Sequence, residues 1–522
     1  MPTARSSTSP AGRWLSGRPA HEAARAVSDV VPLLRFRAAG LRGRSRRAAL
    51  VALAGILLLS ALAAWLPGYL PEGDGRRTDV LLLLPSGYIG VLVISIVSAA
   101  ASGGGRELLP RDQAVAYPVS PTTDHLGALL MAPLNLAWLM QAWTLLGATA
   151  YVVGPTRWLP LAQAPVLIWL AAGTAIAQVV AWAAEWVRRG PHGVLVLRTV
   201  IALLVLGMAA LVVTDRLVRV LDHSPTVKIT IGVLQGASGH WVPWLGAVAA
   251  LLGIAVAAVL VGAMLAHAVA ARPARDELRV ESSVHAPREN PVSDLVALLR
   301  TDRAGLWRSV PLRRGLAVLS ILPGLVALAG ALEWSMVCIL PGLVASGGAL
   351  LFGVNSWCLD GRGALWRDSL PVPARLVFVS RVVVLVEVLL LSTAVTLLLA
   401  SLRAGVPSAG EVAAVLCAAL VVSLQVVSTS LRWSVRRPFS VDMRSARATP
   451  APPLVMVGYS TRLALGTTLT GLLFTVASRA TWGWSVLLAL PFALFSVYRL
   501  MQTAQAWEHP EIRARVVATV AS

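Results

Sequence analysis

Of 522 residues, 57% are hydrophobic and only 13% charged, well below the roughly 25% charged of an average soluble domain. With a mean hydropathy of +0.72, the chain lacks the polar surface a soluble fold needs. The net charge of +20 would suit a nucleic-acid partner, but the arginines sit mostly between apolar runs, as they do in membrane proteins that follow the positive-inside rule, so no nucleic acid is expected.

Residues 1–26, rich in Arg, Ser, Pro and Ala, read as a disordered cytoplasmic tail. The first strong apolar span begins near Ala48, behind a polar stretch too long for an ordinary signal-peptide n-region. A spanning helix takes about 20 apolar residues. Twelve stretches qualify, near 48–66, 80–101, 126–150, 159–186, 194–214, 243–271, 315–333, 336–357, 376–401, 411–431, 455–477 and 482–503. With the N-terminus inside, only eight of the 45 basic residues fall in outer loops: Arg76, Arg77, Arg157, Arg216, Arg219, Lys228, Arg403 and Arg479. Both termini are therefore expected in the cytoplasm.

The chain repeats itself. Val27-Ser-Asp-Val-Val-Pro-Leu-Leu-Arg35 returns as Val292-Ser-Asp-Leu-Val-Ala-Leu-Leu-Arg300, and Ala39-Gly-Leu41 as Ala304-Gly-Leu306. Gly105-Arg106, Leu109 and Arg111-Asp112 return as Gly361-Arg362, Leu365 and Arg367-Asp368. Gln178-Val-Val180, with Trp186 downstream, returns as Gln425-Val-Val427 with Trp433. Order is kept and the offsets are similar, so a unit of about 250 residues is duplicated in tandem. The expected fold is an all-α polytopic membrane protein of twelve transmembrane helices, arranged as two parallel six-helix repeats. Its units cover 27–271 and 292–508, joined by a polar linker at 272–291 and followed by a cytoplasmic tail at 509–522.

Each unit opens with an amphipathic segment. Ser28-Asp29 and Ser293-Asp294 suit a helix N-cap with an acid in the first turn, and Leu295, Val296, Leu299 and Leu306 share a face. Such a basic amphipathic helix is expected along the inner membrane surface, against lipid. Between the second and third spans of each unit lies a mixed-charge turn closed by proline. It contains Arg106, Arg111 and Asp112 in the first unit, and Arg362, Arg367 and Asp368 in the second. These are candidate docking residues, expected outside the hydrophobic core. Candidates for a transport pathway are the polar residues inside spans: Asn135, Gln141, Asn355 and Glu387, the last the most deeply placed acid.

Taken together, these features resemble the membrane subunit of an ABC-2-type exporter. The resemblance rests on an amphipathic elbow helix before the first span, a Pro118-Val-Ser-Pro121-like turn between spans two and three, and six spans per unit. It also rests on an outer segment, Asp215–Trp241, apolar enough to re-enter the bilayer; the second unit has only Ser478-Arg-Ala-Thr481 there. It implies a plasma-membrane permease that forms the substrate path and docks separate ABC ATPase subunits, two per chain. Lys228 is the only lysine, and it lies in no Gly-x-x-x-x-Gly-Lys-Ser/Thr motif, so ATP and magnesium belong to the partner. No catalytic set, metal-ligand spacing or cofactor motif is found, and the chain is not expected to be an enzyme. The alternative is a twelve-span secondary transporter driven by an ion gradient. Cys338, Cys358 and Cys417 lack paired spacing and read as inert.

Overall fold

A computed structural model of the chain describes residues 25–33, 35, 44–71, 75–101, 119–134, 136–214, 216–272, 291–353, 355–361, 363–440 and 453–521. Among these residues every regular element is helical. In hydrocarbon a helix satisfies its own backbone hydrogen bonds, which is why long Leu-, Val- and Ala-rich runs fold this way. Nine helices among the described residues are long and apolar enough to cross a membrane. They are Arg76–Ala100, Leu159–Arg188, Gly193–Val212, Trp241–Ala270, Leu312–Ala329, Trp334–Gly353, Ala374–Ser401, Ala409–Arg436 and Trp482–Glu508.

The other three expected spans are helical but do not meet that criterion over their described residues. Two are the helices Arg44–Trp65 and Pro453–Ala477. The third is interrupted: Pro121–Met131 runs into a 3-10 turn at Ala132–Leu134, and a new helix occupies Leu136–Val153. Pro133 sits in that turn, where its missing N–H and its ring oppose a continuous helix.

By contact, the chain divides into two compact units, Met1–Ser283 and Val284–Ser522. In the first, Leu159–Arg188 is the central helix and packs against Arg76–Ala101, Val227–Ala237 and Trp241–Ala270. Its core joins Tyr88, Leu145, Val166, Trp169, Leu170 and Val233. Two buried side-chain donors there find backbone partners. Gln163 Nε2 donates to the carbonyls of Ala64 and Leu146, each at 3.0 Å, and Trp169 Nε1 donates to Tyr88 O at 3.2 Å. The outer segment forms two short helices, Leu217–Asp222 and Val227–Ala237. The second lies so close to the central helix that a Cβ on Gly236 would stand 2.9 Å from the Leu161 backbone. Thr226 Oγ1 donates to Pro85 O at 2.9 Å, which ties the outer segment to the helix Arg76–Ala101.

In the second unit, Ala409–Arg436 is central, with Trp482–Glu508 and Pro453–Ala477 against it. Its start is set by a capping box: Ser408 Oγ accepts from Glu411 N at 3.3 Å, and Glu411 Oε2 accepts from Ser408 N at 2.8 Å. Such a reciprocal cap satisfies two of the orphan donors at a helix start. The span Trp334–Gly353 is assembled from the turn Trp334–Val337, the helix Leu340–Gly348 and a π-helical turn at Ala349–Gly353. Gly342 lets it approach Pro453–Ala477 backbone to backbone, since a Cβ there would meet Thr467 O at 2.9 Å. Small residues at such crossings are the usual means of close packing between membrane helices. The stretch expected as a C-terminal tail is instead a helix, Pro510–Ala521. Its Val516, Val517 and Val520 are buried in the core of this unit.

Candidate functional site

The amphipathic helix Asp294–Arg308 begins where the sequence places it, with Ser293 Oγ accepting from Val296 N at 3.4 Å. Its buried stripe is Leu298, Asp302 and Leu306, four residues apart and therefore on one face. The middle member of an otherwise apolar stripe is a carboxylate. An ion buried alone is costly, so partners are required.

Three other segments supply them. The short helix Gly363–Asp368 brings Arg367, whose two terminal nitrogens donate to both oxygens of Asp302 at 2.7 and 3.2 Å. The span Ala374–Ser401 brings Ser380, donating to Asp302 Oδ2 at 2.6 Å, and Arg381, 3.1 Å from Asp302 Oδ1. Asp360, in the turn before Gly363, accepts from Arg381 at 2.6 Å and from Arg367 at 3.0 Å. The Arg381 side chain is 1% exposed and that of Asp302 2%. Arg381 also donates to Ser356 O at 2.9 Å and lies over the Trp357 ring, 5.1 Å from its centroid. Trp357 in turn stacks face to face on Trp507, with centroids 4.0 Å apart.

Two acids and two arginines thus close a network with no formal net charge. It ties the amphipathic helix to the loop between spans and to the following span. Burial by itself would raise the Asp302 carboxyl, but Arg381 and the two-pronged Arg367, helped by Ser380, outweigh it and hold the group below the usual carboxylate range. A depressed acid contributes stability in full above its unfolded value, about 3.9 for aspartate. That contribution is lost as pH falls through the lower folded value. The second unit should therefore keep this contribution from neutral pH down to about pH 4 and lose it in stronger acid. Thermal unfolding followed against pH checks this. The Asp302→Asn variant should lack that acid-side fall, and an unchanged profile in the variant would refute the assignment.

The docking candidates divide accordingly. Arg106, Arg111, Asp112 and Arg362 lie outside the described residues. Arg367 is turned inward, its side chain 10% exposed; the expectation that it stands outside the core is corrected, because Asp302 and Asp360 draw it in. Asp368 accepts from Arg513 of the C-terminal helix at 2.7 Å. The residue this loop presents outward is Trp366, 80% exposed, with Leu365 and Leu370 also exposed. Behind the loop, facing the C-terminal helix, is a cavity of about 320 Å³ lined in part by Trp357, Asp360, Arg367, Asp368, Trp507 and Arg513.

Among the pathway candidates, Asn135 lies outside the described residues. Gln141 Oε1 accepts from Ser95 at 3.2 Å. Asn355 is buried and donates to Phe439 O at 2.6 Å. Glu387 pairs with Arg303 of the amphipathic helix at 2.8 Å and keeps 44% of its side chain exposed. Glu387 and Asn355 each bond to a different element, so these two are not gathered into one site. Sequence reading missed Asp302, Asp360 and Arg381. The available signal was an acid in the apolar stripe of a helix, matched by an arginine two turns into an apolar span.

Cys358 sits beside this network, and burial pushes its thiol up to about 12. Among the described residues no group of three or more His, Cys, Asp or Glu is placed to hold a metal ion. What the arrangement offers is mechanical: an ion-paired joint between a surface helix, a loop and a span.

Fold and joint together define the class, a polytopic helical membrane protein. Compared with protein-family models, with curated proteins and with solved structures, the chain finds no match in any of the three.

Proposed function

We propose that the chain is the membrane subunit of an ABC-2-type exporter, with both six-span units of the permease in one polypeptide. In this reading the three helical stretches outside the nine long spans complete a twelve-span layout. Both termini face the cytoplasm, and the protein resides in the plasma membrane. ATP binding and hydrolysis take place on separate ATPase subunits, one for each loop between the second and third spans.

The observation that carries the reading is the joint in the second unit. A loop that must pass force from a soluble motor to the membrane needs an outward surface to receive the motor and an inward anchor to transmit its motion. Gly363–Asp368 has both: Trp366 points out, and Arg367 is clamped to the amphipathic helix and, through the shared acids, to the next span. The tandem repeat supplies a matching loop with Arg111-Asp112, but Arg37, Gly104 and Pro110 stand in the first unit in place of Asp302, Asp360 and Trp366, so a second contact would rest on other residues.

Affinity purification of the full chain from its native membrane tests the proposal. A P-loop ATPase should be recovered with it at two copies per chain, and its hydrolysis should respond to the permease. Vectorial transport by the purified chain in liposomes, driven by a proton or sodium gradient without nucleotide, would overturn it in favour of a secondary transporter.

A further inference from the structure

Among its described residues the second unit carries a basic cluster that no acid pairs with. Arg432 belongs to Ala409–Arg436, Arg462 to Pro453–Ala477 and Arg499 to Trp482–Glu508. The three helices meet at this level: Arg432 reaches Gln502 and Arg499 reaches Thr429 between the first and the third, and Tyr459, one turn before Arg462, meets Ser430 at 2.8 Å between the second and the first. Among the described residues no carboxylate forms an ion pair with any of the three arginines. Their contacts are neutral and long: Arg432 donates to Gln502 Oε1 at 3.5 Å, and Arg499 to Thr429 Oγ1 at 3.4 Å. Arg499 also lies over the Phe495 ring, 5.6 Å from its centroid. Among the described residues these guanidinium groups meet no carboxylate, which leaves donors and positive charge for an anion from outside the chain.

The level of the cluster in the bilayer narrows what can answer that field. A hydrocarbon layer about 30 Å thick takes about 20 residues of helix. Counted from the far helix ends at Ala409, Ala477 and Trp482, this places Arg432 just past the boundary and Arg462 and Arg499 about one to one and a half turns inside it. Arginine stems are long enough to bring their heads back to the headgroup layer. Above Arg462 on the same helix, Leu465, Leu469, Leu472, Leu473 and Val476 are all exposed. Their spacing continues the face that Arg462 begins, so an apolar track rises directly from the arginines. A soluble anion has no use for such a track, whereas acyl chains do.

We infer that Arg432, Arg462 and Arg499 bind the phosphate of an anionic phospholipid, whose acyl chains lie along the Leu465–Val476 face. Basic pockets between membrane helices are the usual seats for such headgroups. The inference needs only that these helices span a bilayer and is independent of any ATPase.

The test uses the full chain in neutral detergent, titrated separately with phosphatidylglycerol, phosphatidylcholine and inorganic phosphate. The readouts are the unfolding midpoint and the lipid retained in native mass spectrometry. Phosphatidylglycerol should raise the midpoint and remain bound, and the other two should not. The Arg462→Gln/Arg499→Gln variant should bind it about tenfold more weakly or worse. Arg479→Gln, an exposed arginine at the opposite end of the same helices, should bind as the parent does. Equal effects of the two lipids, full stabilisation by phosphate alone, or undiminished retention in the double variant would each overturn the proposal. Should the double variant fail to fold, the comparison of headgroups on the parent chain still decides.

Discussion

Replacing Asp302 with alanine should destabilise the protein by about 3–5 kcal/mol, the usual result of removing one partner from a buried ion pair. The loss is large because of what is left behind rather than what is taken away. Arg381, fully buried, and Arg367, nearly so, would be left to share Asp360 as their only carboxylate. Ser380 would lose its acceptor as well. Thermal or denaturant unfolding in a fixed detergent and lipid mixture measures the effect; a loss below about 1 kcal/mol would place the network outside the buried class. Removing Asp302 and Arg367 together should cost less than the sum of the two single changes, because neither charge is then stranded.

Trp366→Ala should have the opposite profile, leaving the fold intact and weakening the proposed ATPase complex by about 2 kcal/mol or more, roughly thirtyfold in affinity. Tryptophan is among the residues most enriched at the energetic centres of protein interfaces, and Trp366 is the most exposed of the exposed tryptophans. At 80% exposure it contributes little to the core, so its removal should move stability by no more than about 0.5 kcal/mol. Its neighbour Arg367 faces the other way, and a substitution there would confuse docking with folding. Titration of the purified ATPase against parent and variant chains in nanodiscs gives the answer. Binding of equal strength would show that the loop is not the contact.

The spans were legible because a long apolar run leaves the chain few alternatives in hydrocarbon. Even so, Pro133 divides one expected span. The stretch after Glu333 reaches its length only by joining a short turn, a helix and a π turn. The N-cap at Ser293 was legible for a local reason, since cap and first turn lie within four residues. The ion-paired joint was not legible in the same way. Asp302, Asp360, Arg367 and Arg381 come from four separate segments, and nothing local says that they meet. Glu387 misled for a related reason. It reads as an isolated acid deep in a span, but the amphipathic helix lies against that span and brings Arg303 to it. The C-terminal helix escaped notice because Val516, Val517 and Val520 are too few to register as a span, although their spacing already marks one buried face.

The neutrality of the joint bears on how the membrane voltage acts on it. Each elementary charge carried across a potential of 100 mV exchanges about 2.3 kcal/mol with the field. Asp302, Asp360, Arg367 and Arg381 carry two charges of each sign and are bonded to one another at 2.6–3.1 Å. Should the amphipathic helix, its loop and the span that carries Arg381 shift together along the membrane normal, the field would do almost no work on these four residues. Moving as one body, these four charges would add no voltage-dependent cost in a polarised cell over that in a de-energised vesicle.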